Sequence, residues 1–432
     1  MIRRTTLKLM LAAGTALALP FVPAHAEMAA SIDEPVTITF YNYNLAHANA
    51  GATATKELIQ EFEAANPNIK VEAIPAPSNE IGARVQADMV AGRQPDVAQL
   101  VFRDLIYISS DLGANALEEM VPADELAAHL DGMSPNGLEL GKVDGKTYGL
   151  AYTFSTPVLF YNADLFRAAG LDPDAPPRTW EEVDEYGRAI HEKTGKHGFF
   201  PGAYGPVDGT FVYQSLVMSD GGNVRDGNTL TFADGGAADA VVTMRQMVED
   251  GSHARIDPGS HTDSFSSGNL GMFLYTSAVL TSFKKASAGN FELRVAAMPA
   301  FGEKPTAPTN SGSALYVFST DPVKQRAAWE LMKFLTSKHA YTVITTKIGY
   351  LPLRLDIVDD PAYLGGWMKE NPMFQPNIDQ LDHLTPNVAF PGPNYRQIES
   401  MMMDAVREAV FGQGDPVEVL KAAQDRAQTL MP

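Results

Sequence analysis

The residues that usually carry covalent chemistry are present in this chain, but not at spacings that would make them act together. There is no His-Glu-x-x-His pair for zinc, no Gly-rich loop ending in Lys-Ser or Lys-Thr for nucleotide phosphates, no Gly-x-Ser-x-Gly elbow, no Gly-x-Gly-x-x-Gly turn and no EF-hand loop. The nine His are scattered. His47 falls in a polar loop, where it can touch a ligand or simply be hydrogen-bonded. Carboxylates are many, yet no spacing singles out an acid/base pair, so an exported carbohydrate-active enzyme stays open as an alternative. What these residue types can do together is bind. Ser, Asn, Asp and Arg between them donate and accept the hydrogen bonds that sugar hydroxyls require, and Tyr or Trp rings cover sugar C–H faces. Tyr41, Asn42 and Asn44 sit at the C-terminal end of a strand, where open α/β sheets hold their ligands. Arg103, Arg354 and Arg396 are candidate cations for a carboxylate, sulfonate or phosphate, with surface solvation as the plainer role.

The elements that position these residues alternate in kind. Val36–Tyr41 alternates with period two and reads as a strand; Thr53–Ala65 reads as a helix stopped by Asn66-Pro67; Ile69–Ile74 is the next strand. Ser78-Asn-Glu precedes a helix over Ile81–Ala91, and Pro95–Phe102 is a buried strand. Val121–Leu130 reads as a helix, and Val143–Ala151 as a hairpin turning at Asp144-Gly145. Val158–Tyr161 is a strand, Asn162 caps the helix after it, and Gly170 ends that helix. Pro173, Pro176 and Pro177 keep the chain extended until Thr179, which forms a capping box with Glu182. Further helices are predicted over Thr210–Met218, within Phe232–Glu249, and over Asp321–Leu335, Gln397–Val410 and Pro416–Met431. Strands are predicted near Gly198–Pro201, at Leu293–Pro299 and at Ser311–Phe318. Trp180 and Trp329 are assigned to packing.

The 432 residues exceed one small core, and 45% hydrophobic with 20% charged residues describes a globular chain. A formal net charge of −19 with no basic patch argues against nucleic acid. The N-terminus reads as a cleaved export signal: Arg3, Arg4 and Lys8, then an apolar stretch over Leu9–Val22, then Ala24-His-Ala26. Arg3-Arg-Thr-Thr-Leu-Lys8 resembles a twin-arginine signal with Thr6 at the usual Phe, so twin-arginine and Sec export both remain open. The chain has no Cys, which removes disulfides, thiolate metal sites and a lipid-anchoring cysteine. With no later apolar run of roughly 18 residues, the expectation is a freely soluble periplasmic protein without metal or other cofactor.

Ser155-Thr-Pro-Val-Leu-Phe-Tyr-Asn162, with Leu165-Phe166, Ala169-Gly-Leu-Asp-Pro173 and Pro176-Pro-Arg-Thr-Trp180, resembles the family 1 extracellular solute-binding proteins of bacterial ABC importers, above all their sn-glycerol-3-phosphate-binding branch. Gln94-Pro-Asp-Val97, Asp144-Gly-Lys146, Ser311-Gly-Ser-Ala-Leu-Tyr-Val317 and Gly349-Tyr-Leu-Pro352 extend the likeness from about Val36 to the C-terminus. The resemblance implies an α/β, two-lobed periplasmic binding protein of type II. One lobe would be 27–152 with 270–320, the other 153–269 with 321–432. It implies hinge closure on a small polar solute, an ABC permease as partner, and a monomer. It places Tyr41, Asn42, Asn44, Ser78, Arg103, Ser155, Tyr204, Ser277, Gly312, Ser313, Tyr350 and Arg396 at the ligand crevice. For each Ser the alternative is a cap or turn, and for each Tyr core packing. Two departures bear on phosphate: the branch's Arg ahead of the "GN..QI" helix start falls at about Pro391, and the acidic residue ending its third strand is replaced near Phe102-Arg103. A sugar, polyol or glycerol glycoside is therefore the first expectation, an anionic polyol the second, with a role as sensor receptor rather than importer component also open.

Overall fold

The computed structural model describes residues 27–205, 209–257 and 259–432. The export segment 1–26 and part of the Ala203–Gly209 loop lie outside the described residues. Two separate sheets organise the chain. The first has five strands: β1 (Val36–Asn42), β2 (Ile69–Pro75), β3 (Val97–Val101), β4 (Gly149–Ser155) and, much later in the chain, β9 (Ser311–Val317). Their spatial order is β2-β1-β3-β9-β4, parallel through β1 and antiparallel where β9 joins β3 and β4. The second sheet has β5 (Pro157–Asn162), β6 (His197–Pro201), β7 (Leu270–Thr276) and β8 (Leu293–Ala296), in the order β8-β5-β7-β6. These strands are buried on both faces, as apolar runs without alternation should be.

Local chemistry explains most element ends. In α1 (Ala50–Ala65), Asn49 accepts from Ala52 N at the start. In α3 (Ala163–Ala169), Asn162 accepts from Asp164 N and Leu165 N, and Gly170 takes the left-handed conformation at φ 78°. In α4 (Trp180–Thr194), Thr179 and Glu182 form both halves of the capping box. The predicted hairpin is present at its tip, where Lys142–Val143 pairs with Lys146–Thr147 around Asp144 and Gly145, both at positive φ. Its continuation, however, is the long strand β4 of the first sheet.

Three further observations amend the sequence reading. The range 270–320 expected in the first lobe contains β7 and β8, but β7 pairs with β5 and β6, and β8 with β5, in the second sheet; an apolar run shows that a strand is buried, not which sheet receives it. Helices α7 (Pro322–Leu335) and α8 (Lys338–Ile348) had been grouped with the second lobe, but α7 packs on β1 and β9 and α8 on α1, in the first. The return to the first lobe therefore comes at β9. The second lobe is completed by α5 (Thr210–Ser219), α6 (Gly235–Glu249), α9 (Tyr395–Phe411) and α10 (Pro416–Gln428), with α6 packed against α5, α9 and α10. The expected Val121–Leu130 helix starts two residues later, at Ala123 behind Pro122, and a separate helical turn over Leu117–Met120 precedes it. Trp180 and Trp329 are fully buried; Trp180 packs against Phe199 and Phe301, and Trp329 donates from Nε1 to Glu125 at 2.8 Å.

Candidate ligand site

Between the two sheets lies a cavity of about 170 Å³, lined from both lobes. On the first lobe the wall is the C-terminal edge of the sheet, where parallel strands end and the antiparallel β9 begins. After β3 come Phe102 and Arg103; after β1 comes Tyr43; ahead of α2 (Ile81–Val90) comes Ser78; and Ser311 and Gly312 open β9. Gly312 is at φ 105°, and a Cβ there would lie 2.0 Å from the carbonyl oxygen of Thr153. Only glycine lets β9 run this close to β4 at the cavity floor. Gly349, at φ 99°, ends α8 and turns Tyr350 onto the wall.

Beneath this wall is a buried polar layer. Gln99 Nε2 donates to Thr153 Oγ1 and to Ser313 Oγ, both at 2.9 Å; those two hydroxyls are 2.8 Å apart, and Tyr43 OH is 2.8 Å from Thr153 Oγ1. Burial pushes the Tyr43 phenol up, so it stays protonated and available as a donor. These shared hydroxyl and amide bonds hold the groups standing on the layer, while Gln99 Oε1 is a buried acceptor with no partner among the described residues.

The opposite wall comes from the second lobe: Thr210 and Phe211 at the start of α5, Glu399 on α9, and Asn387 from the irregular Pro- and Gly-rich segment, with Asn310 on the chain crossing between lobes. Asn310 Oδ1 accepts from Asn387 N at 2.8 Å, and Asn310 Nδ2 and Asn387 Oδ1 are a buried donor and a buried acceptor with no partner among the described residues. Glu399 is buried, and burial pushes its carboxyl up while the Arg103 guanidinium opposes the rise. Arg103 lies between two carboxylates, 3.7 Å from Glu399 and 3.8 Å from Asp104. Among the described residues, the charged groups lining the cavity are thus one cation and one anion; the rest are hydroxyl, amide, backbone and ring groups and the side chain of Val101.

Of the sequence candidates, the cavity brings together Ser78, Arg103, Gly312 and Tyr350. The others lie elsewhere. Tyr41 donates to Asp88 at 2.8 Å behind the sheet, and burial with that carboxylate pushes its phenol up to about 12. Asn42 accepts from Leu45 N in the turn after β1, and Asn44 donates to Thr55 on α1. Ser155 bonds Thr276 at 2.7 Å, and Ser277 Oγ accepts from Thr156 N, both where strands cross between lobes. Tyr204 bonds His253 in the second lobe's aromatic core, and Ser313 belongs to the buried layer. Arg354 donates to the carbonyls of Asp131, His129 and Thr336, as a staple inside the first lobe. Arg396 sits at the cleft rim and pairs with Asp104 at 3.1 Å. The sequence reading did not list Tyr43, Thr210, Phe211, Asn310, Asn387 or Glu399. Tyr43 lay inside the loop singled out after β1; the others carried no local signal, since they meet only when the lobes face each other. Among the described residues no group of three or more His, Cys, Asp and Glu could hold a metal, and no helix is long and apolar enough to cross a membrane.

Two mixed sheets facing one another across a polar cavity define the two-lobed, type II periplasmic-binding fold. Solved structures share it: the cyclic alpha-maltosyl-1,6-maltose binding protein from Arthrobacter globiformis superposes with a TM-score of 0.79 at 22% identity, covering 92% of this chain and 99% of that one. UgpB from Mycobacterium tuberculosis in complex with glycerophosphocholine gives 0.78 at 22%, covering 91% and 98%. Residues 57–375 match the bacterial extracellular solute-binding protein family, and the chain belongs to that family. In sequence it is similar to the sn-glycerol-3-phosphate-binding periplasmic protein UgpB of Escherichia coli (strain K12), 22% identical over 391 residues, spanning 87% of this chain and 88% of that protein. A protein of Brucella abortus (strain 2308) is 26% identical over 389 residues, 87% and 89% of the two chains. Proteins of this family are transport receptors, not enzymes, which disposes of the glycosidase alternative.

Proposed function

We propose that this protein is the periplasmic capture component of an ABC importer, and that it closes on a compact neutral polyhydroxy solute: a sugar, a polyol or a glycerol glycoside. The observation that carries the choice of solute is the charge balance of the wall. Arg103 is the cation lining the cavity, and Glu399 and Asp104 both lie within 4 Å of it. An entering anion would meet a guanidinium that already has two carboxylates within 4 Å of it, and would give up hydration on entry. A neutral solute finds donors at Tyr43 and Asn310, acceptors at Asn387 and Glu399, and ring faces at Tyr350, Phe102 and Phe211. Solved relatives of this fold include complexes with ribitol and with alpha-D-tagatose, which agrees with that chemistry. A solute touching both walls prefers the closed arrangement, so capture and shape change are one equilibrium. The second reading is an anionic polyol; the similarity to UgpB proteins favours it, with Arg103 as the anchoring cation.

The test is thermal unfolding and calorimetry of the processed protein against neutral sugars, polyols and glycerol glycosides, with glycerol 3-phosphate and glycerophosphocholine alongside. A true ligand at 100 times its dissociation constant adds about 2.7 kcal/mol. The neutral set should contain that ligand; a response confined to the phosphates would install the second reading.

A further inference from the structure

The contacts that hold the lobes together at the cleft rim do not all pass through the cavity. Asp104, on the first lobe just after β3, is 3% exposed. Its two oxygens are reached from the second lobe: Tyr395 OH donates to Oδ1 at 2.8 Å and Arg396 Nη2 to Oδ2 at 3.1 Å. Arg396 Nε also donates to Tyr395 OH at 2.8 Å, so the two α9 residues grip the carboxylate as one unit. The Tyr395 ring stacks on Tyr107 of the first lobe, with centroids 5.6 Å apart. Gly82, on α2, stands where a Cβ would come within 3.1 Å of Asp104 and 3.2 Å of Arg396; its bare backbone leaves room for the pair. Neither Tyr395 nor Arg396 lines the cavity, and every one of these bonds is made by the protein with itself.

We propose that Asp104, Tyr395 and Arg396 form an interlobe latch that biases the solute-free protein toward closure, and that Tyr395 and Arg396 are positioning residues setting affinity without touching the solute. The proposal rests on the capture reading for its consequence, though not for its first test. If the binding-competent closed form is a fraction of the free population, apparent affinity scales with that fraction, whatever the solute. Weakening the latch should therefore weaken every ligand by one common factor.

The chain has no Cys, so a single introduced pair reports unambiguously. Spin labels on V90C in the first lobe and V417C in the second, both exposed positions, give the interlobe distance in the full-length processed protein without any solute. The expected distribution for the otherwise unaltered protein includes a component at the separation of the structure described here. R396Q and Y395F should lose most of it, and R396K should keep part. Calorimetry should then show five- to thirty-fold weaker binding of each solute that binds, in equal proportion for neutral and phosphorylated ones. Identical solute-free distributions in R396Q, Y395F and the parent would overturn the latch, with or without an identified ligand. Losses confined to phosphorylated solutes would make Arg396 a ligand contact and overturn it too. A folded protein that binds nothing in the panel would count against the capture reading alone, since the distance measurement stands by itself.

Discussion

Gly312 is the residue where backbone geometry and cavity shape meet most directly. At φ 105°, with Thr153 O where a Cβ would stand, an alanine must push β9 off β4. Strain of this kind costs about 1–3 kcal/mol. G312A is accordingly expected to lower the unfolding free energy by that amount and to weaken solute binding at least ten-fold, measured by equilibrium urea unfolding and calorimetry on one preparation. Gly312 was reached in the sequence through the resemblance of Ser311–Val317 to the solute-binding family rather than through a local signal. Glu399 could not be reached, because on the amphipathic helix α9 a buried carboxylate has the same local context as the solvated Asp404 or Glu408. Tyr41 shows the converse difficulty: its place at a strand end was legible, but alternation does not say which face holds the solute, and its phenol went to Asp88 instead.

At the scale of elements, the capping signals were the most dependable. Thr179 accepts from Glu182 N and the Glu182 carboxylate returns to Thr179 N, so both orphan amides are satisfied as the residue pattern implies. Removing one half, T179A, should cost about 1 kcal/mol by chemical denaturation, with little effect on solute affinity, because α4 lies away from the cavity. Helix α8 went unread: Tyr-Thr-Val-Ile-Thr-Thr over 341–346 is β-branched and suits a strand by local preference. Packing of Ala340, Tyr341 and Ile344 against α1, with Ser337 as cap, overrides that preference. The lobe assignment of β7 failed for the related reason that strand partners are chosen by the whole sheet. The first sheet's strand–helix–strand opening, by contrast, was legible because each element there is adjacent in sequence to the one it packs on.

The molecule as a whole is held by contacts between distant parts of the chain, and one of them makes stability depend on acid. Glu125 accepts from Arg326, Trp329 and Lys333 on α7, some 200 positions later. Burial alone would raise its carboxyl, but Lys333, Arg326 and Trp329 hold it down, from 4.5 to about 2. A carboxylate depressed on folding stabilises the native state fully above its unfolded value and loses that contribution as pH falls through the folded one. The window is therefore pH 4.5 down to about 2. In E125Q the melting temperature should be lower at neutral pH, and the difference from the parent should shrink across that window; a constant gap would mean that Glu125 acts by shape alone.

The crossing between lobes has its own consequence. Ser277 N donates to Thr156 O at 2.9 Å, Ser155 Oγ bonds Thr276 Oγ1, and Leu351 N donates to Phe154 O at 2.9 Å, so three separate stretches are stapled side by side where they pass from one half to the other. Loose tethers would let the halves swivel and slide; a riveted band allows them to swing like a door on its pin. Every departure then retraces the same arc, and the two walls come back in register.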